Sequence, residues 1–408
     1  WRAGQCSGRQ DPRRGLRMAA APDSTRLAQT LAELVRIPSV NPFDAPPRAG
    51  HREQELAEHL LARFREAGLE TGQREVAPGR PNIWGRLKGT GGGPTVMLAA
   101  HLDTVGAEGY PTAFEPRIAD GRVTGRGSCD MKGAIACYLE VLHLVRARGI
   151  KLPGDLIVAG IVDEEHVQIG SAEMGRNGPH ADFGIVGEPT GLQICPAHKG
   201  QLGVFIRTRG KATHSSRPEK GINAVEHMGA VIRHLSGLNA ELQQAGPRHD
   251  LCGTGRFSMN VIRGGAFVSG IPDFCEMEVD RRFLPGEDTA AILADYRDRL
   301  AALAREVPGL NAEVSEPSLL VPALDVPVDS PLVAALAGAV AAVTGATAEI
   351  AAFPGGTDAP NLGFPCVICG PGDLEQAHSA NEFIEVAQMA QASEIYLKAV
   401  MTLNGLSG

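Results

Sequence analysis

The sequence predicts an α/β protein: a largely parallel central sheet with helices on both faces, interrupted by an inserted ferredoxin-like α+β unit. Three observations carry this prediction. Strand-like apolar runs at 95–100, 155–162 and 182–186, the first two separated by a helical stretch over 133–148, give the alternation that builds parallel sheets. After Glu188 the texture changes to a strand (201–209), a helix (223–235), two strands (258–263 and 274–281), a helix (289–305) and a short strand (311–315). That β-α-β-β-α-β order is a compact unit able to fold by itself. From about Val321 long helices and buried strands return, and the chain finishes in a helix over 386–403. Ahead of the first strand, helical periodicity runs over 24–37 and 53–67.

At 408 residues the chain exceeds the size at which one hydrophobic core stops growing, so two domains are expected. Residues 18–198 and 317–408 form the larger expected domain, and 199–316 an inserted, lid-like one. Residues 1–17 carry five arginines and no apolar core segment, which excludes a secretory signal and suggests a disordered extension ahead of Met18. No run of 18 apolar residues occurs; the longest candidate, 332–353, is broken by Thr344, Thr347 and Glu349. No membrane span is expected. A net charge of −8 argues against nucleic acid as a partner. Eight scattered cysteines suggest reduced thiols and a cytoplasmic setting. The single CxxC pair, Cys366 and Cys369, lies on an apolar strand and reads as buried core. The glycine-rich stretch 88–93 lacks a phosphate-loop pattern and reads as a surface turn.

Five short motifs place metal-ligand types where strands should end. The run Met97–Val105 delivers His101 and Asp103 to one side of an extended chain, beyond the carboxyl end of a strand, where open α/β sheets bind ligands. Asp130 sits in the glycine loop 125–133, where, taken alone, capping the next helix is the plainer reading. Asp163, Glu164 and Glu165 follow the apolar run 156–162; adjacent acids at a buried strand end repel one another unless a cation is present. Glu188 ends another strand, and His378 lies beyond the strand 365–369. Oxygen and imidazole ligands without thiolates suit Zn²⁺, with Mn²⁺ or Co²⁺ as substitutes. Five ligands exceed the needs of one catalytic ion and suit two ions sharing a bridging carboxylate.

From about Ser24 onward, in the order and spacing of all five motifs, the chain resembles the co-catalytic zinc family of acetylornithine deacetylase, succinyl-diaminopimelate desuccinylase, aminoacylase and glutamate carboxypeptidase. The resemblance implies a zinc-exopeptidase-like fold and two Zn²⁺ per chain, with Asp130 bridging them. His101 and Glu188 would complete one site, Glu165 and His378 the other. Glu164 would be the general base, and Asp103 would orient His101. It further implies that His214, in the inserted domain, reaches the partner subunit's active site and stabilises the oxyanion, which makes a homodimer through the lid. A histidine satisfied within its own lid is the plain structural alternative.

A substrate carboxylate calls for arginine, whose fork grips it with two hydrogen bonds. Asn260 and Arg282 are the family-like candidates; strand alternation sends Arg281 and Arg282 to opposite faces, so only one points inward. Gly356 and Thr357 belong to a glycine loop (355–359) that resembles the family's substrate loop but lacks its frequent serine before the aspartate. The segment 163–168 also departs from the family, with His166, Val167 and Gln168 where relatives carry small residues. The expected reaction is hydrolysis of a small N-acyl-L-amino acid to a carboxylate and a free amine. A dipeptidase or carboxypeptidase on the same metal site is the alternative. A catalytically silent dimeric binding protein would have lost a ligand or the base, and all are present.

Overall fold

A computed structural model of the protein describes residues 20–45 and 51–407; the expected disordered extension, 1–17, lies outside them. Among the described residues, a nine-stranded sheet forms the larger part. Its centre is parallel, with Leu156–Ile161, Val96–His101, Phe183–Val186 and Cys366–Ile368 side by side. The strands Val96–His101 and Leu156–Ile161 are buried at every residue, because helices cover both faces of such a sheet and leave no polar side to alternate with.

The flanks differ from the largely parallel expectation. Glu70–Ala77 and Arg80–Leu87 form an antiparallel hairpin that joins Leu156–Ile161 antiparallel. Two residues connect the hairpin strands, and Gly79 there has φ 70°, so reversal is forced locally. On the other side, Ile194–His198 pairs antiparallel with Cys366–Ile368 and with Leu324–Asp325, and parallel with Ile350–Phe353. The sheet is therefore mixed: its parallel centre carries the candidate ligands, and one further parallel pair, Ile350–Phe353 with Ile194–His198, lies towards its edge.

Alternation along Arg80–Leu87 shows how both faces are covered. Asn82 donates to the Gly170 carbonyl on the helix Ile169–Asn177 at 2.7 Å. Three residues on, a Cβ at Gly85 would meet Phe64 of the helix Glu53–Glu66 at 2.8 Å. Residues three apart on a strand point to opposite faces, so these helices lie on opposite sides. The helix Lys132–Ala147 packs against Ser24–Val35 and Val386–Leu403. Asp23 caps Ser24–Val35 by accepting from the Thr25 and Arg26 N–H groups.

A second hydrophobic cluster, separate from the first, forms from residues between Leu202 and Leu303. Its five-stranded antiparallel sheet has the order Arg256–Gly264, Phe274–Phe283, Gly200–Arg209, Asn311–Val314, with Leu319–Val321 also pairing to Gly200–Arg209. The helices Ala224–Leu235 and Thr289–Glu306 pack on one face of it. The chain order is the β-α-β-β-α-β read from the sequence. No helix among the described residues is long and apolar enough to cross a membrane. All seven cysteines described are buried and unpaired, Cys366 and Cys369 included.

Candidate metal centre

The four parallel strands end on one side of the sheet, and the candidate ligands gather beyond those ends. His101 closes its strand and Glu188 follows Phe183–Val186 by two residues. Glu164 and Glu165 follow Leu156–Ile161, and Asp130 precedes the helix Lys132–Ala147. Asp130 occupies the middle. Its Oδ1 is 3.0 Å from His101 Nε2, and its Oδ2 is 3.4 Å from His378 Nε2. On the first side Glu188 Oε2 lies 3.8 Å from His101 Nε2; on the second, Glu165 Oε2 lies 3.1 Å from His378 Nε2. One carboxylate thus divides two groups of donors, His101 with Glu188 and His378 with Glu165. Ligand atoms of His101, Asp130 and Glu165 all fall within 4.8 Å of one another.

The chemistry of this set fits divalent cations. His101 Nδ1 faces the Asp103 backbone carbonyl at 2.9 Å; a carbonyl only accepts, so the ring proton sits there and Nε2 is left to coordinate. Glu188 Oε1 is buried without a hydrogen-bond partner. Burial, together with the other carboxylates, pushes Glu164 and Glu188 well above the usual carboxylate range and Glu165 above it. Asp130 goes the other way: burial raises it, but its contacts with the His101 and His378 imidazoles outweigh that and hold it below the ordinary value. Hydrogen bonds to Asp130 and Glu165 raise His378 to about 10. Acids crowded this tightly in a low dielectric mark a site for positive charge. His378 is the exposed member, so the donor set opens to solvent on its side.

Several residues without a role in the sequence reading hold this arrangement. Glu382 is fully buried and accepts four hydrogen bonds. Its Oε1 takes the Cys129 and Asp130 N–H groups at 2.8 and 3.0 Å, and its Oε2 takes the Gly127 N–H at 3.0 Å and Arg126 at 2.7 Å. This one side chain pins the glycine loop that presents Asp130. Its signal in the sequence is modest: an acid four residues after His378, beside the short strand Phe383–Glu385. The Asp103 carboxylate accepts from the Glu164 and Glu165 N–H groups at 3.2 and 3.1 Å and from Asn41 at 2.7 Å. It stands 3.8 Å from His101 Nδ1, so the Asp103 carbonyl orients the imidazole while the carboxylate anchors the acidic turn. Asp163 points away from the cluster, to Arg80 at 2.8 Å and Asn41 at 3.1 Å.

The remaining candidates are not brought to the cluster within this chain. His214 is exposed, and its Nδ1 contacts the Ser216 hydroxyl at 2.8 Å; no hydrogen bond or ion pair among the described residues joins it to the metal ligands. Asn260 is exposed at a β-bulge, where the pairing jumps from Met259↔Val279 to Val261↔Glu278, a device that re-aims side chains. Alternation separates the two arginines as expected. Arg281 is buried and donates to Glu287 at 2.7 Å, whereas Arg282 lies on the open face with Asp280 at 2.9 Å. Thr357 is fully buried, with its hydroxyl committed to His198 Nε2 at 3.1 Å. Gly356 is there because a Cβ would meet Val321 at 2.8 Å.

Comparison with known proteins agrees with this geometry. The description "Peptidase family M20/M25/M40" matches residues 97–402. The chain is 30% identical over 395 residues to an N-formyl-4-amino-5-aminomethyl-2-methylpyrimidine deformylase of Bacillus subtilis, covering 88% of this chain and 92% of that protein. It is 32% identical over 379 residues to an acetylornithine deacetylase of Proteus mirabilis, covering 89% and 93%. Two solved structures, a tripeptidase from Staphylococcus aureus (TM-score 0.78, 23% identity, 95% and 100% covered) and an aminopeptidase from Bacillus cereus (0.76, 24%, 93% and 99%), share the fold. With the match running from the first ligand strand into the last helix, and the donor cluster at the ends of its parallel strands, the chain belongs to the M20/M25/M40 peptidase family and is a metal-dependent amide hydrolase.

Proposed function

We propose that the protein removes a short acyl group from the nitrogen of a small N-acyl-L-amino acid or close analogue, using two zinc ions, for which Co²⁺ or Mn²⁺ can substitute. The observation that carries the reading is Asp130, whose two oxygens face two different histidines, each beside its own glutamate. The two relatives named above at 30% and 32% identity are a deformylase and a deacetylase by name, which supports deacylation over the dipeptidase or carboxypeptidase alternative.

Two ions held by His101, Glu188, Glu165 and His378, with Asp130 between them, would supply an activated water and polarise the scissile carbonyl. Glu164, beside a ligand but outside the donor pairs, takes the water's proton and delivers it to the leaving amine. Asp103 keeps the Glu164–Glu165 turn in register through its two backbone contacts. Arg282 and Asn260, both on accessible parts of the lid sheet, would grip the substrate carboxylate. The loop containing Gly356 and Thr357, whose Asp358 acts electrostatically on Glu164 and Glu188, would support the neighbouring wall. His214, accessible and far from its own cluster in bonding terms, would serve the partner subunit as the oxyanion donor, in a homodimer formed through the lid (199–316). Buried, unpaired thiols fit a reducing, cytoplasmic setting.

The test is metal content of the isolated protein, followed by hydrolysis of N-formyl- and N-acetyl-amino acids before and after chelation. Two zincs per chain, with release of formate or acetate lost on chelation and restored by zinc, is the expected result. Release of free amino acids from dipeptides, with N-acyl substrates untouched, would replace this reading by the peptidase one.

A further inference from the structure

The turn after Glu165 ends in an uncommon backbone conformation. Gln168 has φ 60° and ψ 34°, the left-handed region that glycine or asparagine usually fills and that other side chains hold at a cost. Its side chain is nevertheless kept, at 3% exposure. Its N–H closes the turn on the Asp163 carbonyl at 2.9 Å, and the amide is turned inward.

Both ends of that amide are used. Gln168 Nε2 donates to Glu164 Oε1 at 3.2 Å. Gln168 Oε1 accepts from Asn361 Nδ2 at 3.1 Å, and the same Asn361 nitrogen donates to Ser171 Oγ at 3.0 Å. The Ser171 hydroxyl in turn donates to the Gln168 carbonyl at 3.2 Å. Because Asn361 presents N–H groups to the Gln168 oxygen, the amide can offer only its own N–H to Glu164. Asn361 lies on the 3₁₀ turn Ala359–Leu362, which reaches the helix Ile169–Asn177 at Gly175, where a Cβ would stand 2.0 Å from the Asn361 carbonyl. Glycine at 175 is what lets the turn come close enough.

We propose that Gln168, locked by Asn361, is a positioning residue for Glu164. Its N–H holds one carboxylate oxygen and leaves the other to receive the water's proton. The proposal rests on the reading of Glu164 as general base.

Gln168→Met keeps length and packing but removes the donor; Gln168→Gly relieves the left-handed backbone and guards against a folding failure. Both should lower kcat by about tenfold, the order expected for one hydrogen bond to a charged group, with KM, metal content and melting temperature near wild type. Asn361→Ala should cost less, and Gln168→Met with Asn361→Ala should be no worse than Gln168→Met alone, since both act through one contact. A residue that merely fills space would be rescued by methionine, so wild-type turnover in Gln168→Met overturns the proposal. Glu164→Gln separates the two levels. Turnover in that variant removes the base and this proposal with it; an inactive Glu164→Gln beside a fully active Gln168→Met removes this proposal alone.

Discussion

Replacing Glu382 by glutamine probes how the fold holds its metal-binding loop. Glutamine keeps the shape but retains one acceptor oxygen where four donors converge. Whichever way the amide turns, its NH₂ faces N–H groups, and at least one buried backbone donor loses its partner. The Arg126 guanidinium, 4% exposed, also loses its counter-charge. Breaking one side of a buried ion pair costs about 3–5 kcal/mol, and an orphaned buried N–H about 1–3 kcal/mol. The two losses share one side chain and are not additive, so about 4 kcal/mol is expected. For a domain of this size that lowers the melting temperature by roughly 10 °C.

Metal affinity should fall as well, because the amide nitrogen releases either the Cys129 and Asp130 N–H groups or the Gly127 N–H and Arg126, and both pairs fix the loop that presents Asp130. Thermal unfolding of the metal-free protein isolates the first effect, and titration with zinc measures the second. An unchanged melting temperature with two tightly held ions would show that the glycine loop is fixed without Glu382 and would refute the reasoning.

Three further outcomes are expected. Asp130→Ala should weaken zinc at both positions by more than about 100-fold, since a shared ligand outranks the supporting contacts whose loss costs 10–100-fold; elemental analysis showing two retained ions would contradict the bridge. His214→Ala should lower turnover by about 10²–10³-fold, as for loss of one oxyanion donor, without loss of zinc, and mixing it with Glu164→Ala should restore part of the activity through heterodimers with one complete site. Absence of complementation would sink the role in trans. His198→Gln addresses pH: burial lowers the His198 pKa from 6.5 to about 4, so the unfolded chain takes up a proton below about pH 6.5 that the native protein refuses until about pH 4. That part of the stability is complete above pH 6.5 and declines by about 3 kcal/mol on acidification through the window; denaturant unfolding should show a gentler acid loss in the variant, and identical pH dependence would remove His198 from the account.

The ligands were legible in the sequence because each breaks a local pattern. A continuous apolar run that ends in His101, or in Asp163–Glu165, sets charge at a buried strand end, and such placements are too costly to be frequent. The inserted unit was legible for a similar reason, since its alternating strands differ in texture from the continuous runs around them. The hairpin Glu70–Leu87 was not. Its outer strand, Glu70–Ala77, carries no fully buried residue, so neither alternation nor an apolar run marks it. The short helix Leu238–Gln244 buries a single residue and gave no periodicity to read.

The supporting residues escaped notice for a different physical reason. Glu382 meets the 127–130 loop across more than 250 positions of chain, Asn361 meets Gln168 across 193, and Arg80 meets Asp163 beyond the end of the neighbouring strand Leu156–Ile161. Polar satisfaction at such distances obeys no period of 2 or 3.6; only the requirement that buried donors find acceptors links the partners. Metal-ligand identity is therefore written locally, at the ends of strands, while ligand orientation is written in pairs of residues with no local mark. Asp103 shows both at once. Its place two residues after His101 is a local signal, yet its carboxylate serves the turn of Glu164 and Glu165 from the neighbouring strand, and only its carbonyl orients the imidazole. A His-x-Asp pair in the sequence names the residue and leaves the atom open, because the local pattern fixes which strand end the aspartate occupies and the tertiary demand of two free N–H groups decides where its carboxylate oxygens go.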